Sequence, residues 1–90
     1  MNGKILIIED DIAFGTMLEK WFQRNNFVSV WCSDMASAQE KLKQETYDIV
    51  LSDLRLPDGD GIMLLHWMKE IQLNIPVVIM TGYGEVQTAV

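Results

Sequence analysis

Ninety residues, 49% of them hydrophobic and 22% charged, suit one globular domain and make disorder, or several domains within these residues, poor readings. A formal net charge of -6 repels phosphate backbones, so the chain itself is not expected to bind nucleic acid directly. No apolar run nears the ~18 residues that a membrane span requires. Met1-Asn2-Gly3-Lys4 leads into a strand rather than a cleavable signal, so no membrane contact and a cytoplasmic location are expected.

The first element is the apolar run Ile5-Leu6-Ile7-Ile8, short and β-branched, as strands covered on both faces of a parallel sheet are. A helix follows, with Phe14, Met17, Leu18, Trp21 and Phe22 at helical spacing and Asn25-Asn26 as a left-handed stop. Phe27-Val28-Ser29-Val30-Trp31 is a less apolar strand nearer a sheet edge. The lone Cys32 has no partner for a disulfide or a zinc site and is read as a packing residue. A weakly amphipathic helix from about 34 to 45 carries Ala38 and Leu42, with Ser33 or Asp34 as its cap. Ile49-Val50-Leu51 is a third strand. A third helix starts at Asp60-Gly61 and buries Leu64, Leu65, Met68 and Ile71. On its other face Met63 and Trp67 are expected to be partly buried against a neighbouring loop, with the lone histidine His66 solvated. Val77-Val78-Ile79-Met80 is a fourth strand, and Val86, Ala89 and Val90 open a further amphipathic helix. The order βαβαβαβ predicts an open α/β sheet.

In such sheets chemistry gathers at the carboxyl ends of the strands. Glu9-Asp10-Asp11 follows the first strand, Asp53 ends the third and Thr81-Gly82 ends the fourth. Neighbouring strands lie ~4.8 Å apart, so Glu9, Asp10 and Asp53 must repel one another unless a cation joins them. Carboxylates without sulfur or imidazole suit a hard ion, and an open site favours Mg²⁺ over Ca²⁺. Thr81 could then donate a hydrogen bond to a phosphoryl group, with Gly82 leaving room for it. Taken singly these features are ordinary: Asp10 or Asp11 equally serves as a helix cap, and Pro57-Asp58-Gly59 suits any tight turn. Asp53 inside an apolar strand is harder to dismiss, because an unpaired buried carboxylate is costly.

With Asp53-Leu54-Arg55-Leu56-Pro57, the later Gly61 and the Thr81-Gly82 strand end, the whole pattern resembles the receiver domain of two-component response regulators. The resemblance implies a flavodoxin-like doubly wound parallel sheet of order 2-1-3-4-5. It implies that Asp53 is the phosphoacceptor for a sensor histidine kinase and that Thr81 reads the phosphoryl group. It further implies Mg²⁺ held by Asp10, Asp53 and the backbone carbonyl of Arg55, with Glu9 bound through water. Such a chain is an acceptor and switch, not a turnover enzyme. Met80-Thr81-Gly82-Tyr83-Gly84-Glu85-Val86 and the residues around Asp53 look most like the nitrogen-regulatory class, whose receivers control AAA+ activators of sigma-54 promoters. That similarity implies an attached transcriptional, DNA-binding output. Two other classes compete. A haloacid-dehalogenase-like phosphotransferase would use Glu9 and Asp11 two residues apart, although glutamate fits its nucleophile poorly. A phosphorylation-independent interaction module would lack some of the acidic set.

The family's fifth strand, with its lysine and aromatic switch residue, has no counterpart before Val90. Residues 1–90 are therefore read as one receiver domain incomplete at its C-terminus, expected to bind Mg²⁺ weakly and to hold little stable aspartyl phosphate. The outer edge of the fourth strand is expected to lie bare and to draw a second copy into a homodimer, through that edge or through the terminal helix.

Overall fold

Register explains the sheet. The computed structural model describes residues 3–80 and 86–89. In chain order its elements are β1 (Lys4–Ile8), α1 (Ile12–Arg24), β2 (Val28–Cys32), α2 (Met35–Gln44), β3 (Ile49–Asp53), β4 (Arg55–Leu56), β5 (Gly59–Asp60), α3 (Gly61–Glu70), β6 (Val77–Met80) and β7 (Val86–Ala89). One sheet has the order β2-β1-β3-β6-β7, and β4 with β5 forms a small hairpin. The first four strands are parallel, with Ile8 opposite Cys32 and Ser52, and Asp53 opposite Met80. The expected parallel order therefore holds through β6.

Because side chains alternate across a strand, the register sorts them into two faces. Leu6, Ile8, Cys32, Val50, Val77 and Ile79 join Ala38 and Leu42 of α2 and Leu64 and Met68 of α3 in one buried cluster. The other face carries Ile7, Trp31 and Leu51 side by side, under α1. Ile5 and Ile7 are buried there, whereas Leu51 and Val78 are half-buried. Two covered faces are why β1 reads as an unbroken apolar run.

The helices begin and end as local chemistry dictates. Asp11, Asp34 and Asp60 cap α1, α2 and α3, each accepting a backbone N–H three residues on. Asn26 has φ 66, and the N–H groups of Asn26 and Phe27 reach back to the carbonyls of Gln23 and Phe22, a Schellman stop. Gln72, φ 60, ends α3 the same way: its N–H and that of Leu73 donate to Lys69 and Met68.

The apolar stripe of α1 is covered only in part: Met17 is 54% and Trp21 55% exposed. The helix meets the sheet through Gly15, where an added Cβ would lie 2.4 Å from the Trp31 ring. Three expectations need correction. Ile71 is 47% exposed because it lies at the α3 C-cap, beyond the last helical turn. Of the outer residues of α3, Trp67 packs partly against the core but Met63 is exposed; His66 is exposed as expected. Finally, residues 86–89 are not helical. They form β7, which pairs antiparallel with β6 from Val77↔Ala89 to Met80↔Val86. The outer edge of β6, expected to be bare and to recruit a second copy, is paired within the chain. Four residues make too little helix to persist alone, whereas a strand there satisfies an entire row of edge N–H and C=O groups.

Candidate functional site

The carboxyl ends of β1 and β3 are adjacent in the sheet, so the residues that follow Ile8 and Ser52 must meet. Glu9, Asp10 and Asp53 converge there, with a carboxylate oxygen of each within 4.8 Å of the others. Glu9 is buried, Asp53 half-buried and Asp10 exposed, so the cluster opens outward. Thr81 and Gly82 lie outside the described residues.

Backbone contacts hold each acid in place. The Glu9 N–H donates to the Cys32 carbonyl at 3.0 Å. Its own carbonyl accepts the Trp31 indole N–H at 2.8 Å, and its Oε2 accepts the Asp11 N–H at 3.1 Å. Asp11 is committed elsewhere, accepting the Phe14 N–H as the α1 cap; of the two candidate caps, Asp11 takes the role. This weighs against Asp11 as the second acid of a dehalogenase-type pair. Asp53 Oδ1 accepts the Leu54 N–H at 2.9 Å, and that same N–H also reaches the Met80 carbonyl at 2.8 Å. Fully buried Ser52 donates its hydroxyl to the Asp53 carbonyl at 2.8 Å. Beside it, a Cβ on Gly61 would lie 3.1 Å from that carbonyl and 3.3 Å from Ser52 Oγ. The glycine eight residues after Asp53 is thus a close-approach residue.

Crowding of like charges has an electrostatic cost. Burial pushes the Glu9 carboxyl up to about 7, opposed by the Asp11 N–H and reinforced by the charge of Asp53 and hydrogen bonds with Asp10 and Asp53. An all-oxygen, partly open trio of this kind fits a hard divalent cation, which would relieve that repulsion. Arg55 is exposed and begins the β4–β5 hairpin two residues beyond Asp53. Cys32 is buried with its thiol 3.7 Å from the Ile7 carbonyl. Its pKa is pushed to about 12, chiefly by burial and then by Asp34, with Lys41 opposing. It is a packing residue, as its sequence context suggested.

The family profile of the response regulator receiver domain matches residues 5–90. The chain belongs to that family. Among curated relatives of the receiver, sporulation initiation phosphotransferase F of Bacillus subtilis is 38% identical over 85 residues, covering 94% of this chain and 68% of its own. Transcriptional regulatory protein ZraR of Klebsiella oxytoca is 36% identical over 93 residues, covering 100% of this chain and 21% of its own. DNA-binding transcriptional regulator NtrC of Proteus hauseri is 34% identical over 92 residues, with 99% and 19% covered. The chain thus spans about two thirds of the first relative and about a fifth of the two regulators. Among solved structures, the Francisella response regulator 1452 receiver domain superposes with a TM-score of 0.87 at 26% identity, covering 93% of this chain and 69% of that one. Chemotaxis response regulator CheY4 of Vibrio cholerae, also at 0.87 but 18% identical, over 94% and 72%, shares the fold. The flavodoxin-like architecture implied by the resemblance is confirmed.

Three residues of the receiver's site went unread in the sequence. Trp31 reads as an aromatic of an edge strand, and nothing in the sequence assigns Ser52 a role of its own. Asp58 looked like turn filler, yet its Oδ1 accepts the Met35 N–H at 2.7 Å and its Oδ2 the Ala36 N–H at 2.9 Å. An acid directly after a proline that follows a strand end was the available signal for Asp58. For Trp31 it was the glycine in an otherwise bulky α1.

Proposed function

We propose that residues 1–90 act as a phosphoacceptor receiver domain in which Asp53 takes a phosphoryl group from a phosphohistidine of a sensor histidine kinase. A carboxylate oxygen of Asp53 attacks phosphorus; the new O–P bond forms as the N–P bond to the kinase imidazole breaks, and the electron pair leaves with the imidazole nitrogen. Glu9 through water, Asp10, Asp53 and the backbone carbonyl of Arg55 would hold Mg²⁺, which supplies charge neutralisation for the incoming phosphoryl oxygens. Thr81 would donate a hydrogen bond to one of those oxygens. The observation that carries this reading is the convergence of the three carboxylates at the ends of β1 and β3.

The reading makes the chain a switch rather than a turnover enzyme, acting in the cytoplasm on an attached output. Relatives named as transcriptional regulators, of which the chain matches about a fifth, support a transcriptional, DNA-binding output. Among the described residues no helix is long and apolar enough to cross a membrane. The test is a small phosphodonor with Mg²⁺, hydride trapping of any acyl phosphate within seconds, and peptide mass analysis. Label at Asp53 that is lost in Asp53→Asn and on chelation is the expected result. Label at Glu9 would favour phosphotransferase chemistry of the dehalogenase type, and no label would favour an interaction module.

A further inference from the structure

The turn that follows Asp53 is tied to a helix distant in sequence. Residues 55–60 form the β4–β5 hairpin, with Arg55 paired to Asp60 and Leu56 to Gly59, leaving Pro57 and Asp58 at its tip. The α2 helix presents three backbone donors in its first turn that have no partner inside the helix. Asp34 satisfies Ser37 at 2.7 Å, a local cap. The other two, Met35 and Ala36, are both taken by Asp58, one on each carboxylate oxygen. These N–H groups hold the Asp58 carboxyl below the usual carboxylate range. Beside it, a Cβ on Gly59 would lie 2.9 Å from the Met35 side chain, so the hairpin and the start of α2 touch through side chain and backbone alike.

We propose that Asp58 is a positioning residue that fastens the hairpin carrying Arg55 to the N-terminus of α2 and so preorganises the metal site at Asp53. The proposal rests on the metal reading above and deepens it. With the hairpin tip held at two points, the Arg55 carbonyl is placed before an ion arrives, and the ordering cost of binding falls. Coupling of this kind is reciprocal, so an ion at Asp53 also steadies the first turn of α2.

Mg²⁺ titrations followed by amide NMR, alongside urea unfolding, test this on the unaltered chain and on Asp58→Ala, Asp58→Asn and Asp34→Ala. Removing either aspartate costs α2 a cap of similar worth, but only Asp58 joins α2 to the hairpin. Asp58→Ala is expected to weaken Mg²⁺ binding by ~5-fold or more. Asp58→Asn, which keeps one acceptor oxygen, falls between, and it carries the comparison if the alanine variant does not fold. Asp34→Ala is expected to lose stability while keeping its Mg²⁺ affinity within about twofold, a change below the usual range of allosteric coupling. In the unaltered chain Mg²⁺ should shift the Met35 and Ala36 amides, and Asp58→Ala should abolish that shift. Equal Mg²⁺ affinity in the Asp58 and Asp34 variants, or unmoved Met35 and Ala36 amides while the Asp53 and Asp10 signals respond, overturns the proposal. Failure of Asp53 and Asp10 to respond in the unaltered chain overturns the metal reading itself, and this inference with it.

Discussion

Asp53→Asn isolates the electrostatic cost of the acidic cluster. The asparagine Oδ1 can still accept the Leu54 N–H, and that N–H has a second acceptor in the Met80 carbonyl, so hydrogen bonding changes little while one negative charge disappears. At the 4.8 Å limit of the cluster and an effective dielectric constant of ~20, each full charge pair repels by ~3–4 kcal/mol. Water around exposed Asp10 and half-buried Asp53 cuts this, leaving an expected gain of ~1–2 kcal/mol in apo stability at pH 8. The gain depends on pH with a definite sign. Glu9 titrates at about 7 in the folded chain, against 4.5 for a free glutamate side chain. Its protonation therefore contributes stability in full below ~4.5, lost as pH rises through ~7. At pH 5 Glu9 is neutral in the fold and repels nothing, so the benefit of removing the Asp53 charge shrinks to under ~1 kcal/mol. Urea unfolding in chelator at pH 5 and pH 8 measures both values. Destabilisation at pH 8, or an equal effect at the two pH values, would refute the reasoning and make Asp53 a structural hydrogen-bond centre.

Gly15→Ala would ordinarily favour a helix by up to ~1 kcal/mol, but here the new methyl meets the Trp31 ring at 2.4 Å. A net loss of ~1–3 kcal/mol is expected in urea unfolding, with a shift in tryptophan emission as the indole is displaced from the Glu9 carbonyl. The Cys32 thiol, buried and pushed to about 12, is expected to resist iodoacetamide at pH 8 until the chain is unfolded, which intact-mass timing will show. Gln72→Gly relieves a left-handed residue with φ 60 and is expected to raise stability by ~0.5–1 kcal/mol in thermal or urea unfolding.

The central sheet was legible because burial on both faces leaves continuous apolar runs, and the ends of β1 and β3 were legible because carboxylates interrupt them. Asn25-Asn26 announced the end of α1 since asparagine tolerates φ > 0; Gln72 does the same task for α3 with no compositional mark. The stripe of α1 was legible as an apolar face, but periodicity does not say what covers it. Residues 86–89 misled for a different reason: helical spacing over so few residues is a weak signal, and the unpaired edge of β6 outweighs it. Asp58 was invisible because its partners, Met35 and Ala36, are brought near only by the fold.

The pairing of β7 with β6 also bears on how the chain folds. Every parallel pairing in the sheet must wait for a crossover: Lys4 finds Val28, Ile5 finds Ile49 and Val50 finds Val77. Met80 meets Val86 across a short connection, and hairpins of that kind close in microseconds, far sooner than distant parallel strands assemble. The β6–β7 pair should then be an early, local unit onto which β3 docks through the inner edge of β6. In kinetic terms the β6–β7 pair would nucleate early, and the β1–β3 seam that creates the acidic cluster would close late. The site would come into being only as the sheet is completed.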